Sequence, residues 1–125
     1  MNNSYPKYFC QTMKIIRSRN FPPKNFSAIN LFGLIIVRED YGELSDVEKN
    51  HERIHTRQML EMFIILFYLL YVIEWLIKLV KYKNSHEAYK NISYEREAYS
   101  NMYNLDYLKR RKPYSFIHYY RKEKI

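Results

Sequence analysis

The longest apolar run in the chain covers residues 62 to 80, in which Glu74 and Lys78 are the only charged side chains. Its uncharged part, residues 62 to 73, is shorter than the roughly 20 residues that a membrane-spanning helix needs. Runs of about 10 to 14 residues more often form core or interfacial helices. We therefore expect an apolar helix over residues 62 to 80 that lies in the core or at a membrane interface without spanning the membrane, with a spanning helix as the alternative.

A shorter run of branched and apolar side chains covers residues 30 to 38, and a turn-like polar stretch follows it. This composition predicts one short strand, at the edge of a sheet or in a small ribbon. Residues 1 to 29 mix aromatic side chains with Pro6, Pro22 and Pro23. Such a mixture predicts an irregular arm that packs by its aromatic rings.

The sequence also marks where helices begin. Ser45 and Glu48 match a capping box, in which two side chains three residues apart satisfy backbone donors at a helix start. A helix should therefore begin near Asp46. Neither Gly nor Pro interrupts the chain from there to Pro113, which is well placed to start a short final helix.

Between these points, residues 92 to 103 predict another helix, with Asn91 or Ser93 as its cap. The pattern as a whole predicts a mainly α fold in a single domain, since a chain of this length supports one hydrophobic core. After the arm we expect a core over residues 30 to 105 and a basic, aromatic tail over residues 106 to 125.

The formal net charge is +8, from 21 basic and 13 acidic side chains, and the basic excess lies in the C-terminal third. A basic surface attracts anionic lipid, nucleic acid or acidic proteins without selecting among them.

Cys10 is the only cysteine, so a disulfide within the chain is excluded and a metal ion would need His and carboxylate ligands. Lys14, Arg17 and Arg19 interrupt the N-terminal segment. The sequence therefore predicts a cytoplasmic or membrane-associated protein without a cleavable signal peptide.

The clearest chemical signal is the pattern His-Glu-x-x-His at residues 51 to 55. Side chains at i and i+4 lie above one another on a helix, so His51 and His55 can present ring nitrogens to one metal ion. Glu52 is offset to the side where a water on that ion would lie, and a carboxylate there can act as a general base. The pattern predicts a zinc site with Glu52 as the catalytic base.

A catalytic zinc ion usually takes three protein ligands, and two carboxylates compete to be the third. Glu61 lies six residues after His55, which resembles the spacing at which metzincin-type zinc sites place their third ligand after a turn at a Gly, but Gln58 stands in the place of that Gly. On a continuous helix six residues turn through about 600°, which points Glu61 away from His55. Glu61 is therefore disfavoured, and Glu95 on the later predicted helix is the other candidate.

Glu95 is followed three positions later by Ala98. Together with the His-Glu-x-x-His pattern, this Glu-x-x-Ala pattern resembles the gluzincins, zinc metallopeptidases in which a Glu from a downstream helix joins the two His ligands. The likeness is to minimal single-domain gluzincins and to the core of membrane-embedded CAAX prenyl proteases and related heat-shock metalloproteases. It covers about residues 30 to 105, and it implies a helical zincin-like core with His51, His55 and Glu95 as zinc ligands.

The resemblance implies further roles. It makes Glu52 the general base, and Glu97 the alternative ligand if the second helix is rotated. Tyr99 stands where many gluzincins have an Asp that supports a ligand. The candidates for supporting the ligands or stabilising an oxyanion are Gln58, Glu97, Tyr99 and His118.

The three-ligand site imposes a condition on the apolar stretch. A straight helix over residues 46 to 81 would end about 39 Å from His55 at 1.5 Å per residue, and a helix returning at once could not bring Glu95 level with His55. The site therefore requires a helix break within residues 60 to 82, or a largely extended return through residues 82 to 92. It also excludes a helix that spans a membrane.

The leading hypothesis is a zinc-dependent metallopeptidase that hydrolyses peptide bonds in a peptide or protein substrate, with possible attachment to a membrane surface through residues 62 to 80 and the basic tail. The alternative is a non-enzymatic membrane-associated or interaction protein, in which residues 51 to 55 are incidental. A weaker alternative is a nucleic-acid-binding protein, because the tail interleaves basic side chains with aromatic rings that could stack on bases.

Overall fold

The structure, a computed structural model, describes residues 14 to 120. Cys10, the first part of the predicted arm and the end of the predicted tail lie outside the described residues. The elements are β1 (Lys14–Ser18), β2 (Ala28–Leu31), β3 (Leu34–Arg38), α1 (Asp46–Glu61), α2 (Ile65–Tyr82), α3 (Ser85–Lys90), α4 (Ser93–Asn101), α5 (Tyr107–Arg110) and a 3-10 helix (Ser115–Tyr119). The predicted mainly α fold, with a small strand region before the first helix, is confirmed.

The three strands form one sheet in the order β1-β3-β2. β1 runs parallel to β3, whereas β2 pairs with β3 in the antiparallel direction through a turn at Phe32 and Gly33. Both turn residues have positive φ, 56° and 91°, as two-residue hairpin turns require to match the strand twist. The single strand predicted over residues 30 to 38 is therefore a hairpin. β1 lies in the segment that we expected to be irregular.

α1 begins where the capping box predicts. The Ser45 hydroxyl accepts the Glu48 backbone N–H at 3.1 Å, and the Glu48 carboxylate accepts the Ser45 N–H at 3.0 Å. Asn30 of β2 ties the sheet to this helix, because its Nδ2 donates to the Glu52 carbonyl at 3.0 Å and to the Thr56 hydroxyl at 2.9 Å. The edge of the sheet is thus held beside the His-Glu-x-x-His turn.

A sharp break at residues 62 to 64 separates α1 from α2. Phe63 and Ile64 have φ of 55° and 60°, the Ile64 N–H donates to the Met59 carbonyl at 2.7 Å, and the two helices are bent by 111°. This is the helix break that the three-ligand site requires. α2 therefore begins three residues later than the predicted apolar helix, and the chain returns through the short helix α3 instead of an extended segment.

Among residues 14 to 120, no single helix has the length and apolar character needed to cross a membrane. α1 and α2 meet those criteria only when they are taken together across their bend.

The start of α4 differs from the prediction. Neither Asn91 nor Ser93 is its cap, since the N-cap is Ile92, which makes no capping hydrogen bond through its side chain. Instead Glu74 of α2 accepts the Ser93 N–H at 2.8 Å and the Ser93 hydroxyl at 2.7 Å. A carboxylate is favoured at a helix N-terminus because it meets unpaired N–H groups and the positive end of the helix dipole. This contact anchors α4 to α2.

The described part of the predicted tail belongs to the fold. Arg111 is buried, and Phe116 packs in the main apolar core. The 3-10 helix starts at Ser115, two residues after Pro113, close to the predicted short final helix. The other buried members of that core are Met59, Met62, Phe67, Ile92 and Tyr94.

Candidate metal centre

His51 and His55 lie one turn apart on α1, and both are buried, with 6 % and 5 % of their surface exposed. Their Nε2 atoms are 3.2 Å apart. Between them on the same face, Ile54 packs against the small, fully buried Ala98 of α4. This close packing brings α4 against the His-bearing face of α1.

Glu95 of α4 completes the group. Its Oε1 lies 3.3 Å from His51 Nε2 and 3.2 Å from His55 Nε2, so the three atoms form a nearly equilateral triangle. Ligands placed about 2.0 Å from a tetrahedral zinc ion lie about 3.3 Å from one another. The triangle therefore has the size of one face of such a tetrahedron. Within residues 14 to 120, this is the one group of His, Cys, Asp and Glu side chains that could hold a metal ion.

Without a metal ion, an ion pair between protonated His55 and Glu95 would hold part of this group together. One proton can bridge only one pair of the three atoms, and Glu95 Oε1 is buried without a well-aligned hydrogen-bond partner. Leaving such an oxygen unsatisfied costs about 1 to 3 kcal/mol. A metal ion would satisfy both imidazole nitrogens and the carboxylate oxygen at once, so the buried group fits a metal ion.

Gln58 fixes the orientation of the His55 ring. The Gln58 side chain donates through Nε2 to Glu97 Oε1 at 2.9 Å and to the Tyr94 carbonyl at 3.2 Å, so its Oε1 is left as an acceptor. His55 Nδ1 lies 2.8 Å from that oxygen. A neutral His55 ring therefore carries its proton on Nδ1, and the lone pair of its Nε2 is directed toward the other ligand atoms.

Glu97 and Glu61 belong to a separate network beyond Gln58. Glu97 is fully buried and accepts hydrogen bonds from the Arg111 guanidinium and, at 2.6 Å, from the Tyr107 hydroxyl. The same guanidinium forms a two-pronged pair with Glu61 at 2.6 and 3.1 Å. The Glu61 carboxylate, which the sequence disfavours as a ligand, thus contacts Arg111 and is not part of the His51, His55 and Glu95 group. The carboxylate of the alternative ligand Glu97 faces Arg111 and Gln58, so it lies outside the group of His51, His55 and Glu95.

Aromatic side chains complete the surroundings of the ligands. The Tyr71 hydroxyl donates to Glu95 Oε2 at 2.7 Å, and burial together with the Glu95 charge raises the pKa of Tyr71 well above its usual value. Tyr71 thus remains a donor that turns Oε1 toward the histidines. The Tyr99 ring stands edge-on to His51 with the ring centres 4.5 Å apart, and its hydroxyl lies 3.1 Å from that of Tyr89. Tyr99 therefore packs against His51, one of the three candidate ligands.

The protonation states of His55 and Glu95 depend on one another. Burial lowers the pKa of His55, but the Glu95 carboxylate outweighs this and raises it to about 9. Burial likewise raises the pKa of Glu95, yet His55 and His51 hold it well below its usual range. Without a metal ion His55 therefore carries an additional proton at neutral pH, and metal binding must displace that proton.

The ligand group opens onto a cavity of about 650 Å³. β2, which is an edge strand among the described residues, forms one wall, and α2 forms another. Glu52 lies in the cavity wall beside the histidines. Burial raises the pKa of the Glu52 carboxyl, and the neighbouring His55 and His51 offset only part of this effect.

The structure brings together the three predicted ligands, with Glu52 and Gln58 adjacent to them. His118 is exposed on the 3-10 helix and does not line the cavity, so it is not placed to stabilise an oxyanion there. Sequence reasoning missed the roles of Tyr71 and Arg111. The sequence does contain a pattern that predicts a polar role for Tyr71, because helical spacing places it on the same face of α2 as the polar residues Glu74 and Lys78.

No family model, no curated protein and no solved structure among those compared matches this chain.

Proposed function

We propose that the chain is a zinc-dependent metallopeptidase of the gluzincin type, with His51, His55 and Glu95 as the zinc ligands. The observation that carries the proposal is the triangle of their donor atoms, with sides of 3.2 to 3.3 Å. Imidazole nitrogens favour zinc over calcium or magnesium, and three protein ligands that leave a fourth position open are typical of catalytic zinc.

Zinc in this position would polarise a substrate carbonyl and lower the pKa of water. Glu52, in the cavity wall beside the ligands, accepts the proton of the attacking water and passes it to the nitrogen of the leaving amine. Its raised pKa supports both steps, because general catalysis is most effective when the pKa of the acid or base lies near the working pH.

The presence of β2 in the wall of the cavity favours a peptide substrate. β2 has a strand neighbour on one side only among the described residues, and an extended peptide can pair with such an edge. Phe26, Ile29 and Trp75 line the same cavity, so it favours apolar side chains on that peptide.

The test compares zinc-loaded wild type with Glu52→Gln on a mixture of unstructured peptides, with cleavage followed by mass spectrometry. We expect both proteins to retain zinc and the same thermal midpoint, and the variant to lose about 10² to 10⁴-fold of the cleavage rate. If zinc-loaded wild type cleaves no faster than Glu52→Gln, the peptidase proposal is wrong even though the metal site stands.

The non-enzymatic alternative, a membrane-associated or interaction protein, is favoured by the exposed aliphatic side chains of α2. They lie on the opposite side of that helix from Glu74, so they do not compete with the metal site. The same cleavage assay separates the two functions.

A further inference from the structure

α2 turns its polar side chains toward the protein and its aliphatic side chains outward. Glu74 and Lys78 are only 7 % and 8 % exposed. At 100° per residue, the outward side chains occupy an arc of about 120°. We call this surface the aliphatic face; it comprises Ile65, Leu66, Leu69, Ile73, Leu76, Ile77 and Val80, which are 43 to 77 % exposed.

The aliphatic face is larger than the apolar patches that most monomeric proteins expose. From the exposures of these residues, it presents roughly 700 to 800 Å² of apolar surface, whereas the largest patch on a typical monomer is about 300 to 600 Å². The exposed Phe63 extends it at the break before α2. An exposed apolar surface of this size is typical of a site that binds another protein or a membrane.

Basic side chains stand at both ends of the aliphatic face. Lys81 and Lys83 are exposed at the C-terminal end of α2. At the other end, Tyr114 donates through its backbone N–H to the Glu61 carboxylate at 3.1 Å and through its hydroxyl to the Glu61 carbonyl at 3.3 Å. These contacts hold the segment that carries the exposed Lys112 beside the break.

The basic side chains at its two ends indicate which kind of partner the aliphatic face binds. A second copy of the chain would bring basic ends against basic ends in either helix orientation, and such like-charge contacts disfavour association. An anionic bilayer offers apolar chains below negatively charged headgroups, which complements an apolar stripe with basic ends. We propose that the aliphatic face of α2 docks onto an anionic lipid surface, with Glu74 and Lys78 remaining packed on the protein side.

This docking would bring the cavity to the membrane. Val72 and Trp75 of α2 line the cavity, and Val72 is itself exposed beside the aliphatic face. A docked protein would therefore present its cavity close to the headgroup layer. The inference goes beyond the peptidase proposal and does not depend on bound zinc.

The test is co-sedimentation of the full chain with vesicles of pure phosphatidylcholine, or of equal parts phosphatidylcholine and phosphatidylglycerol. Leu69→Gln/Ile77→Gln interrupts the aliphatic face with neutral side chains. Tyr103→Gln/Ile117→Gln is the matched control, because it replaces two other exposed apolar residues.

We expect wild type to bind the anionic vesicles at least about tenfold more tightly than the neutral ones, since binding combines apolar burial with attraction to anionic lipid. The double variant in α2 should lose at least about tenfold of that affinity, while the control retains it. Lys83→Gln/Lys112→Gln, which leaves the apolar face intact, should lose the preference for anionic vesicles. His55→Ala should bind as wild type, which separates this proposal from the zinc site.

Two results would overturn the proposal. One is wild type that binds neither kind of vesicle, or that binds as well after the α2 substitutions. The other is a dimer in solution that the α2 substitutions dissociate, without any vesicle binding, because a second copy would then cover the face. If Leu69→Gln/Ile77→Gln loses its helical circular dichroism, the charge variant decides alone: unchanged selectivity for anionic vesicles in it contradicts docking onto an anionic surface.

Discussion

Replacing Gln58 with Leu tests how far metal binding by His55, a proposed zinc ligand, depends on the hydrogen bond between the two side chains. The substitution removes the oxygen that lies 2.8 Å from His55 Nδ1, and the Leu side chain that replaces it is apolar and of similar size. The proton of the neutral ring can then move to Nε2, where it competes directly with a metal ion. Gln58→Leu should therefore weaken metal binding without removing a ligand.

The size of the effect follows from two sets of contacts. Partners that orient a metal-bound histidine typically contribute 10 to 100-fold in affinity, which corresponds to about 1.4 to 2.7 kcal/mol of binding free energy. The substitution also removes the donor to Glu97 and to the Tyr94 carbonyl. Each buried group left unsatisfied lowers the free energy of unfolding by about 1 to 3 kcal/mol.

A matched control separates binding from stability. Asn50 lies on the same helix, is fully buried, and donates to the carbonyls of Met102 and Asn104 at 2.9 and 3.0 Å. Asn50→Leu should therefore lower stability and leave zinc affinity unchanged. Zinc affinity is measured by competition with a chromophoric chelator, at a temperature where both variants are folded. Wild-type affinity in Gln58→Leu, or an equal loss in Asn50→Leu, would refute the assigned role of Gln58.

Two further predictions concern charge. Arg111→Met leaves the carboxylate of Glu97 buried without its cation and should lower the free energy of unfolding in urea by about 3 to 5 kcal/mol; adding Glu97→Gln should restore most of it, and no recovery would contradict this explanation. Because the metal-free His55 has a pKa of about 9, zinc binding at pH 7 should release about one proton, and affinity should fall about tenfold per pH unit below 9. Titration calorimetry in buffers of different ionisation enthalpy measures this release, and an enthalpy independent of the buffer would contradict it.

The features that local sequence predicts well are those set by neighbours along one helix. The capping box of Ser45 and Glu48 determines where α1 starts, and helical spacing alone places His51 and His55 on one face. Helical spacing also predicts that the Glu61 side chain points away from the two histidines, and its carboxylate contacts Arg111 instead. These predictions needed no knowledge of the rest of the chain.

Other features depend on contacts between distant residues. The helix break rests on Phe63 and Ile64 in left-handed backbone conformations, which the sequence does not announce because neither residue is Gly or Asn. β1 was missed since its partner β3 lies twenty positions further along in the register. The contact of Arg111 with Glu97 joins a predicted tail to the core. Tertiary packing decides each of these.

The sequence of α2 contains a polar face and an aliphatic face, which an average over the whole apolar run conceals. Within residues 62 to 80, Tyr71, Glu74 and Lys78 share one helical face, and most of the aliphatic residues share the other. The structure shows that the face with polar atoms is the one that packs on the protein, where Glu74 binds Ser93. The helical spacing of these two faces therefore predicts both the contact of α2 with α4 through Glu74 and the exposed aliphatic surface.

The central claim, a metal site built by three side chains, is tested most directly by the zinc content of purified protein after exposure to zinc and dialysis. Wild type should retain about one zinc ion per chain, as a three-ligand site predicts. His55→Ala should retain none, whereas His118→Ala, which replaces an exposed histidine away from the cavity, should match wild type. Equal and negligible zinc in wild type and His55→Ala would contradict the site.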